Sequence, residues 1–146
     1  MGGLLTAPAH PLDKYRHGNK PYAIVTGATD GIGKGLAFEL ARNNFNVLIH
    51  GRNPEKLDSV QREITNLYPT IDVQIAILDA TENPYSIAIM NVAKDLHITV
   101  LINCLGIIGD GAWKPFEDDT DDSIQAMINA NTLFPTSLAR QLLPQL

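Results

Sequence analysis

Apolar residues along the chain fall into short β-branched runs, separated by longer stretches in which they recur every three or four positions. "YAIVT" (Tyr22 to Thr26) is the first run, and "LAFELARNN" after it places Leu36, Leu40 and nearby small residues on one helical face. The motif repeats. "FNVLIH" (Phe45 to His50) predicts a second strand. "PEKLDSVQREITNLY" (Pro54 to Tyr68) predicts a helix opened by proline, with Leu57, Val60, Ile64 and Leu67 on its apolar stripe. A third round follows, with "VQIAILD" (Val73 to Asp79) strand-like and "NPYSIAIMNVAKDL" helical. "ITVLINC" (Ile98 to Cys104) is a continuous apolar run of the kind that forms a strand covered on both faces. The last periodic segment should bury Ile124, Met127, Ile128 and Phe134, with a kink at Pro135.

Strands alternating with helices imply right-handed crossovers and a doubly wound α/β fold, a parallel sheet with helices on both faces. Ligands of such sheets sit at the carboxyl ends of the strands. There the first turn reads "VTGATDGIGKG", with glycines at 27, 31, 33 and 35. Backbone with so few side chains, opening a helix, presents N–H groups and a positive dipole end to an anion, most simply a phosphate. A bare tight turn would use glycine too. A P-loop fails twice, since Ala28 stands where its first glycine is required and Gly35 replaces the magnesium-binding hydroxyl. The G-x-G-x-x-G spacing is also absent.

Composition narrows the partners. Eleven basic against sixteen acidic residues in 146 give a net charge of −5 without a Lys/Arg cluster, so no nucleic-acid surface is expected. A single cysteine, Cys104, precludes an internal disulfide, no cysteine framework or zinc spacing exists, and Cys104 reads as a buried packing residue. No metal set is expected: "EDDTDD" precedes an apolar-periodic segment and is read as a solvated helix N-terminus. Residues 1–20 read as an irregular arm ahead of one domain over 21–146, with no apolar run of transmembrane length. "MGGLLT" matches the loose myristoylation pattern, which is short enough to recur by chance.

Thr26-Gly27-x-x-x-Gly31-Ile32-Gly33 resembles the first turn of the short-chain dehydrogenase/reductase family. "INCLG" (Ile102 to Gly106) is similar to that family's Asn-Asn-Ala-Gly, matching at Asn103 and Gly106 and departing at Cys104 and Leu105. The resemblance runs from about Tyr22 to the last residue and covers the cofactor half of the family's fold. "TDGIGKG", "FNVLIHGRNPEKL" and "LLPQL" look most like the branch of 3-oxoacyl-CoA reductases and 17β-hydroxysteroid dehydrogenases.

The resemblance implies cofactor contacts at Thr26, Gly27, Thr29, Asp30, Gly31, Ile32 and Gly33, at Arg52 and Asn53 after strand two, and at Asp79, Asn103 and Gly106. Gly51 stands where an NAD enzyme would carry an acid for the ribose hydroxyls, and Arg52 suits a 2′-phosphate, so NADP(H) is the expected cofactor. Asp79 is expected either to accept from the adenine amino group or to serve as a helix N-terminal acid. Asn131 corresponds to the family's catalytic asparagine, which holds its helix open locally and anchors a water in the proton relay.

Family chemistry is hydride transfer, with a tyrosine as general acid/base, a lysine one helical turn on and a serine at the substrate oxygen. No Tyr-x-x-x-Lys occurs here: Tyr15, Tyr22, Tyr68 and Tyr85 are followed at the fourth position by Asn19, Thr26, Asp72 and Ile89. The expectation is an NADP(H)-dependent oxidoreductase acting on a carbonyl or secondary alcohol, with these 146 residues inactive alone. A non-catalytic NADP(H)-binding or regulatory module and a partial chain with no role of its own stand as alternatives. The resemblance further implies homodimerisation through the last helix. It places the protein in the cytoplasm, or on the cytosolic face of the endoplasmic reticulum if a membrane segment lies upstream.

Overall fold

In a computed structural model, described here for residues 11–109 and 114–146, four parallel strands form one sheet in the order β3-β2-β1-β4. The strands are β1 (Pro21–Val25), β2 (Asn46–Gly51), β3 (Val73–Ile77) and β4 (His97–Ile102). Between them lie α1 (Gly31–Arg42), α2 (Pro54–Leu67) and α3 (Ile87–Ala93), and after β4 come α4 (Asp121–Ile128) and α5 (Phe134–Leu142). This is the doubly wound, Rossmann-like arrangement that the alternating pattern predicts. The pattern of "MGGLLT" lies outside the described residues. Among the described residues of the amino-terminal arm, Asp13–Tyr15 form a 3₁₀ turn.

Strand periodicity sorts the core into two layers. Ala23, Val25, Val47 and Ile49 point to the side of α1 and α2, where they meet Ala37, Leu40, Leu57, Val60 and Ile64. Tyr22, Ile24 and Leu48 point the other way, into a cluster with Ile89, Ala93, Phe134, Leu138 and Leu142. All six residues of β2 are buried, as a central strand covered on both faces requires.

β4 departs from that expectation. Ile98 is buried, but Val100, Leu101 and Ile102 are only partly so, because β4 pairs with β1 alone and forms an edge of the described sheet. Two stripe residues also depart from the pattern. Leu67 is 64% exposed at the last turn of α2, and Ile128 is 45% exposed where α4 ends. The break in the final helix falls earlier than Pro135. Residues Asn129–Leu133 form a π turn joining α4 to α5. Pro135, having no N–H, cannot give the carbonyl of Asn131 the usual i→i−4 bond, and the turn before it widens.

From β1 the chain steps outward through β2 to β3, then returns to the opposite side of β1 for β4. That reversal opens a crevice beyond the carboxyl ends of β1 and β4.

Candidate functional site

The crevice is a cavity of about 500 Å³, bounded by the turn after β1, the ends of β2 and β3, and the segment after β4. Its floor is the glycine turn. Gly27 has φ +65°, and a Cβ there would lie 2.9 Å from Leu105 Cα, so the turn packs backbone to backbone against the β4 exit. A Cβ on Gly33 would stand 2.2 Å from the carbonyl oxygen of Gly27, which leaves no room for a side chain where α1 meets the turn.

Thr26 joins these two segments. Fully buried, its Oγ1 accepts from the backbone N–H of Cys104 (3.0 Å) and of Leu105 (3.2 Å), while its own N–H donates to Ile102 (3.0 Å). The structure therefore uses Thr26 to hold the crevice together from behind and does not bring it to the cavity wall. Gly27, Thr29, Asp30, Gly31, Ile32 and Gly33 do line the cavity. Asp30 is also the N-cap of α1, its side chain accepting from Gly31 N at 2.8 Å. Lys56 Nζ lies 3.8 Å from the other carboxylate oxygen. Ile32 stands 78% exposed, an apolar side chain at the mouth of the cavity.

At the far end Arg52 and Asp79 face each other, with Nη1 3.5 Å from Oδ2. Partial burial opposes the charge on Asp79. Hydrogen bonds from the hydroxyl and N–H of Thr81 and the nearby Arg52 guanidinium outweigh it and hold the carboxyl below its ordinary range. Asn53 does not reach the cavity: it caps α2, accepting from Lys56 N at 2.9 Å.

Across the cavity, Gly106 lines the wall together with Cys104, Leu105, Ile107 and Ala130. Cys104 is thus a half-buried wall residue and not the enclosed packing residue that its apolar run suggests. Asn103 points away and donates to the carbonyl of Pro135 at 3.4 Å, tying the end of β4 to α5. Asn131 sits in the π turn and exchanges two bonds with the backbone of Ile107, accepting from its N–H (2.9 Å) and donating to its carbonyl (2.8 Å).

The wall residue Thr81 and the residue that braces it, Asn129, escape motif reading. Thr81 supports Asp79, and Asn129 donates to the Thr81 carbonyl at 2.6 Å from 48 residues away. No local spacing signals such a pair.

A family model described as short chain dehydrogenase matches residues 21–146. The chain belongs to the short-chain dehydrogenase family of oxidoreductases. A very-long-chain 3-oxoacyl-CoA reductase of Caenorhabditis briggsae is 39% identical over 142 residues, covering 93% of this chain and 44% of its own length. A very-long-chain 3-oxoacyl-CoA reductase of Kluyveromyces lactis is 35% identical over 146 residues, covering 98% and 41%. Among solved structures, a metagenomic short-chain oxidoreductase in complex with NADP superposes with a TM-score of 0.71 at 25% identity, covering 86% of this chain and 56% of that one. The chain therefore spans less than half the length of these curated relatives, and its place beside the 3-oxoacyl-CoA reductase branch agrees with the motifs quoted above.

The cavity fits the nicotinamide dinucleotide of this family on its own terms. N–H groups in the first turn of a helix lack intrahelical acceptors and suit an anionic group, and here that turn, through Ile32 and Gly33, forms part of the cavity wall. Arg52 and Asp79 supply a cation and an acceptor at the opposite end. Among the described residues no helix is long and apolar enough to cross a membrane.

Proposed function

We propose that this chain forms the NADP(H)-binding half of an oxidoreductase that interconverts a carbonyl and a secondary alcohol, with a 3-oxoacyl-CoA or steroid-like substrate. The observation that carries the reading is the cavity itself, in which a glycine turn and helix N-terminus at one end face Arg52 at the other, with no acid at Gly51. A carboxylate at position 51 would repel a 2′-phosphate, whereas the exposed guanidinium of Arg52 can fork onto it.

The dinucleotide supplies the hydride when bound; the residues of this chain bind and orient it. Gly27 to Gly33 would seat the pyrophosphate, Arg52 the 2′-phosphate, and Asp79 the adenine amino group. Gly106 would let the nicotinamide ribose approach the backbone. Asn103 and Asn53 support these contacts from outside the cavity, through α5 and the start of α2 respectively. Asn131 would anchor a water for the proton relay, next to the turn it already braces.

Tyr-x-x-x-Lys is absent from the 146 residues, so these residues alone should bind cofactor without turnover. The protein whose cofactor half this is acts in the cytoplasm or on the cytosolic face of the endoplasmic reticulum, and pairs with a second copy through α5. The exposed Leu133 and Leu143 flanking that helix support the pairing.

Incubating the intact natural protein, and separately residues 1–146, with NADP and a panel of secondary alcohols tests the reading. NADPH formation by the first and none by the second is expected. Dinucleotide binding by both without turnover would instead favour a non-catalytic NADP(H)-sensing module.

A further inference from the structure

His50 is a fully buried imidazole near the carboxyl end of β2, and the cofactor reading assigns it no task. Its surroundings give it one. The backbone carbonyl of His50 accepts from Ala28 N at 2.9 Å, so the residue already braces the glycine turn. Its ring Nε2 lies 3.2 Å from the carbonyl oxygen of Leu78, the residue directly before Asp79. Leu78 N donates in turn to Gly51 O at 3.1 Å. Both polar groups of Leu78, where the chain leaves the β3 ladder, are thus tied to consecutive residues of β2. The imidazole prolongs the strand pairing by one residue after the backbone has stopped supplying it.

A carbonyl can only accept, so Nε2 carries the hydrogen. Nδ1 has no partner, and the ring lies 5.0 Å from the Phe134 ring on α5, within the apolar cluster of that face. An unprotonated Nδ1 is tolerable there, whereas a second N–H would be a buried donor without an acceptor. Burial lowers the pKa of His50 to about 4, against the opposing pull of the Leu78 carbonyl and the Asp79 carboxylate, so the ring is neutral at pH 7.

We propose that His50 is a positioning residue for the adenine end of the cofactor site: its Nε2–H, bonded to the Leu78 carbonyl, fixes Asp79 opposite Arg52. The proposal rests on the dinucleotide reading above. Without the bond the carbonyl side of Leu78 loses its tie to β2, only the Leu78 N–H to Gly51 O bond still holds the end of this edge strand, and the 3.5 Å approach of Arg52 to Asp79 is less firmly set.

The test uses the intact natural protein, 2′,5′-ADP as probe, and two variants. His50→Leu keeps the approximate volume and removes the donor, and should weaken 2′,5′-ADP binding about tenfold, the loss expected for one structural hydrogen bond. His50→Gln can place an amide donor near the same carbonyl and should restore affinity to within about threefold of wild type. Independently, ¹⁵N chemical shifts of the wild-type ring should report a neutral Nε2–H tautomer at pH 7. Equal affinity in all three proteins, weakening that glutamine does not relieve, or a ring protonated on Nδ1 would overturn the proposal. If His50→Leu fails to fold, the glutamine variant and the tautomer still decide it. A wild-type protein that binds neither NADPH nor 2′,5′-ADP would overturn the cofactor reading, and the adenine role of His50 with it.

Discussion

Arg52 and His50 stand two residues apart at the end of β2, one exposed in the cavity mouth and the other sealed beneath it. The first predicts specificity. Arg52→Ala should reduce the preference for NADPH over NADH by about tenfold to a hundredfold, since a charge-assisted contact to a phosphate is worth roughly 1.5–3 kcal/mol. Paired titrations with both cofactors would measure it, and an unchanged ratio would remove Arg52 from the 2′-phosphate. The second predicts a pH dependence of stability. His50 has a folded pKa of about 4 against 6.5 when free. The unfolded chain therefore takes up a proton that the native state refuses, and stability falls as pH drops from about 6.5 towards 4. At roughly 1.4 kcal/mol per pKa unit the loss is about 3 kcal/mol. Urea unfolding at pH 7 and 4.5 should show it in wild type and much less of it in His50→Gln. Gly27 and Gly33 were legible in sequence because a turn that admits no Cβ at those places restricts residue type locally. The hold of His50 on Leu78 and of Asn129 on Thr81 was not, because each joins residues far apart in the chain through a contact that only the folded sheet creates.

Elements were legible where period and punctuation agreed. Pro54 and the Asn53 cap mark the start of α2, and the β-branched runs mark β1, β2 and β4. The run through Asp79 overstates β3, which ends at Ile77. Past that residue the backbone turns out of the ladder, and Asp79 bonds to Thr81 in a turn instead. The segment "NPYSIAIMNVAKDL" likewise yields helix only over Ile87–Ala93, because Asn83 closes its own turn onto Tyr85 N. The acidic run opens α4 as expected at Asp121 and Asp122, which occupy the first turn while Thr120 accepts from Ser123 N, but Asp119 is not solvated and pairs with Lys114 at 3.3 Å. The turn-to-helix junction gives the prediction at this scale. Gly33→Ala puts a methyl 2.2 Å from a backbone carbonyl, so turn or helix must shift. Such overpacking costs roughly 1–3 kcal/mol of stability. Loss of dinucleotide binding should accompany a lowered unfolding midpoint, whereas Gly35→Ala, whose Cβ meets nothing within 4 Å, should be close to neutral.

For the whole molecule, the edge at β4 is the feature with the largest consequence. Its apolar residues are partly uncovered, and Ile108, Phe116, Ile128, Leu133 and Leu143 are exposed on the segments that follow it. An apolar strand edge left open is a template for pairing with other chains. Residues 1–146 expressed alone should therefore be marginally stable and self-associate at micromolar concentration. A sharp, reversible unfolding transition of a monomer at high temperature would contradict that expectation. The doubly wound class, with its ligand end at the strand carboxyl termini, followed from alternation and the glycine turn; the strand order β3-β2-β1-β4 is set by pairing between distant segments and was not legible there. The cover of β4 did not, because an apolar run records what a strand needs and not which neighbour supplies it.

Cofactor binding is the property of this crevice that a single measurement reads most directly. Titrating NADPH and NADH into the purified intact protein by calorimetry should show one dinucleotide site per chain, with NADPH bound at least about tenfold more tightly than NADH. Failure to bind either dinucleotide, or tighter binding of NADH, would contradict the assignment of this crevice to NADP(H).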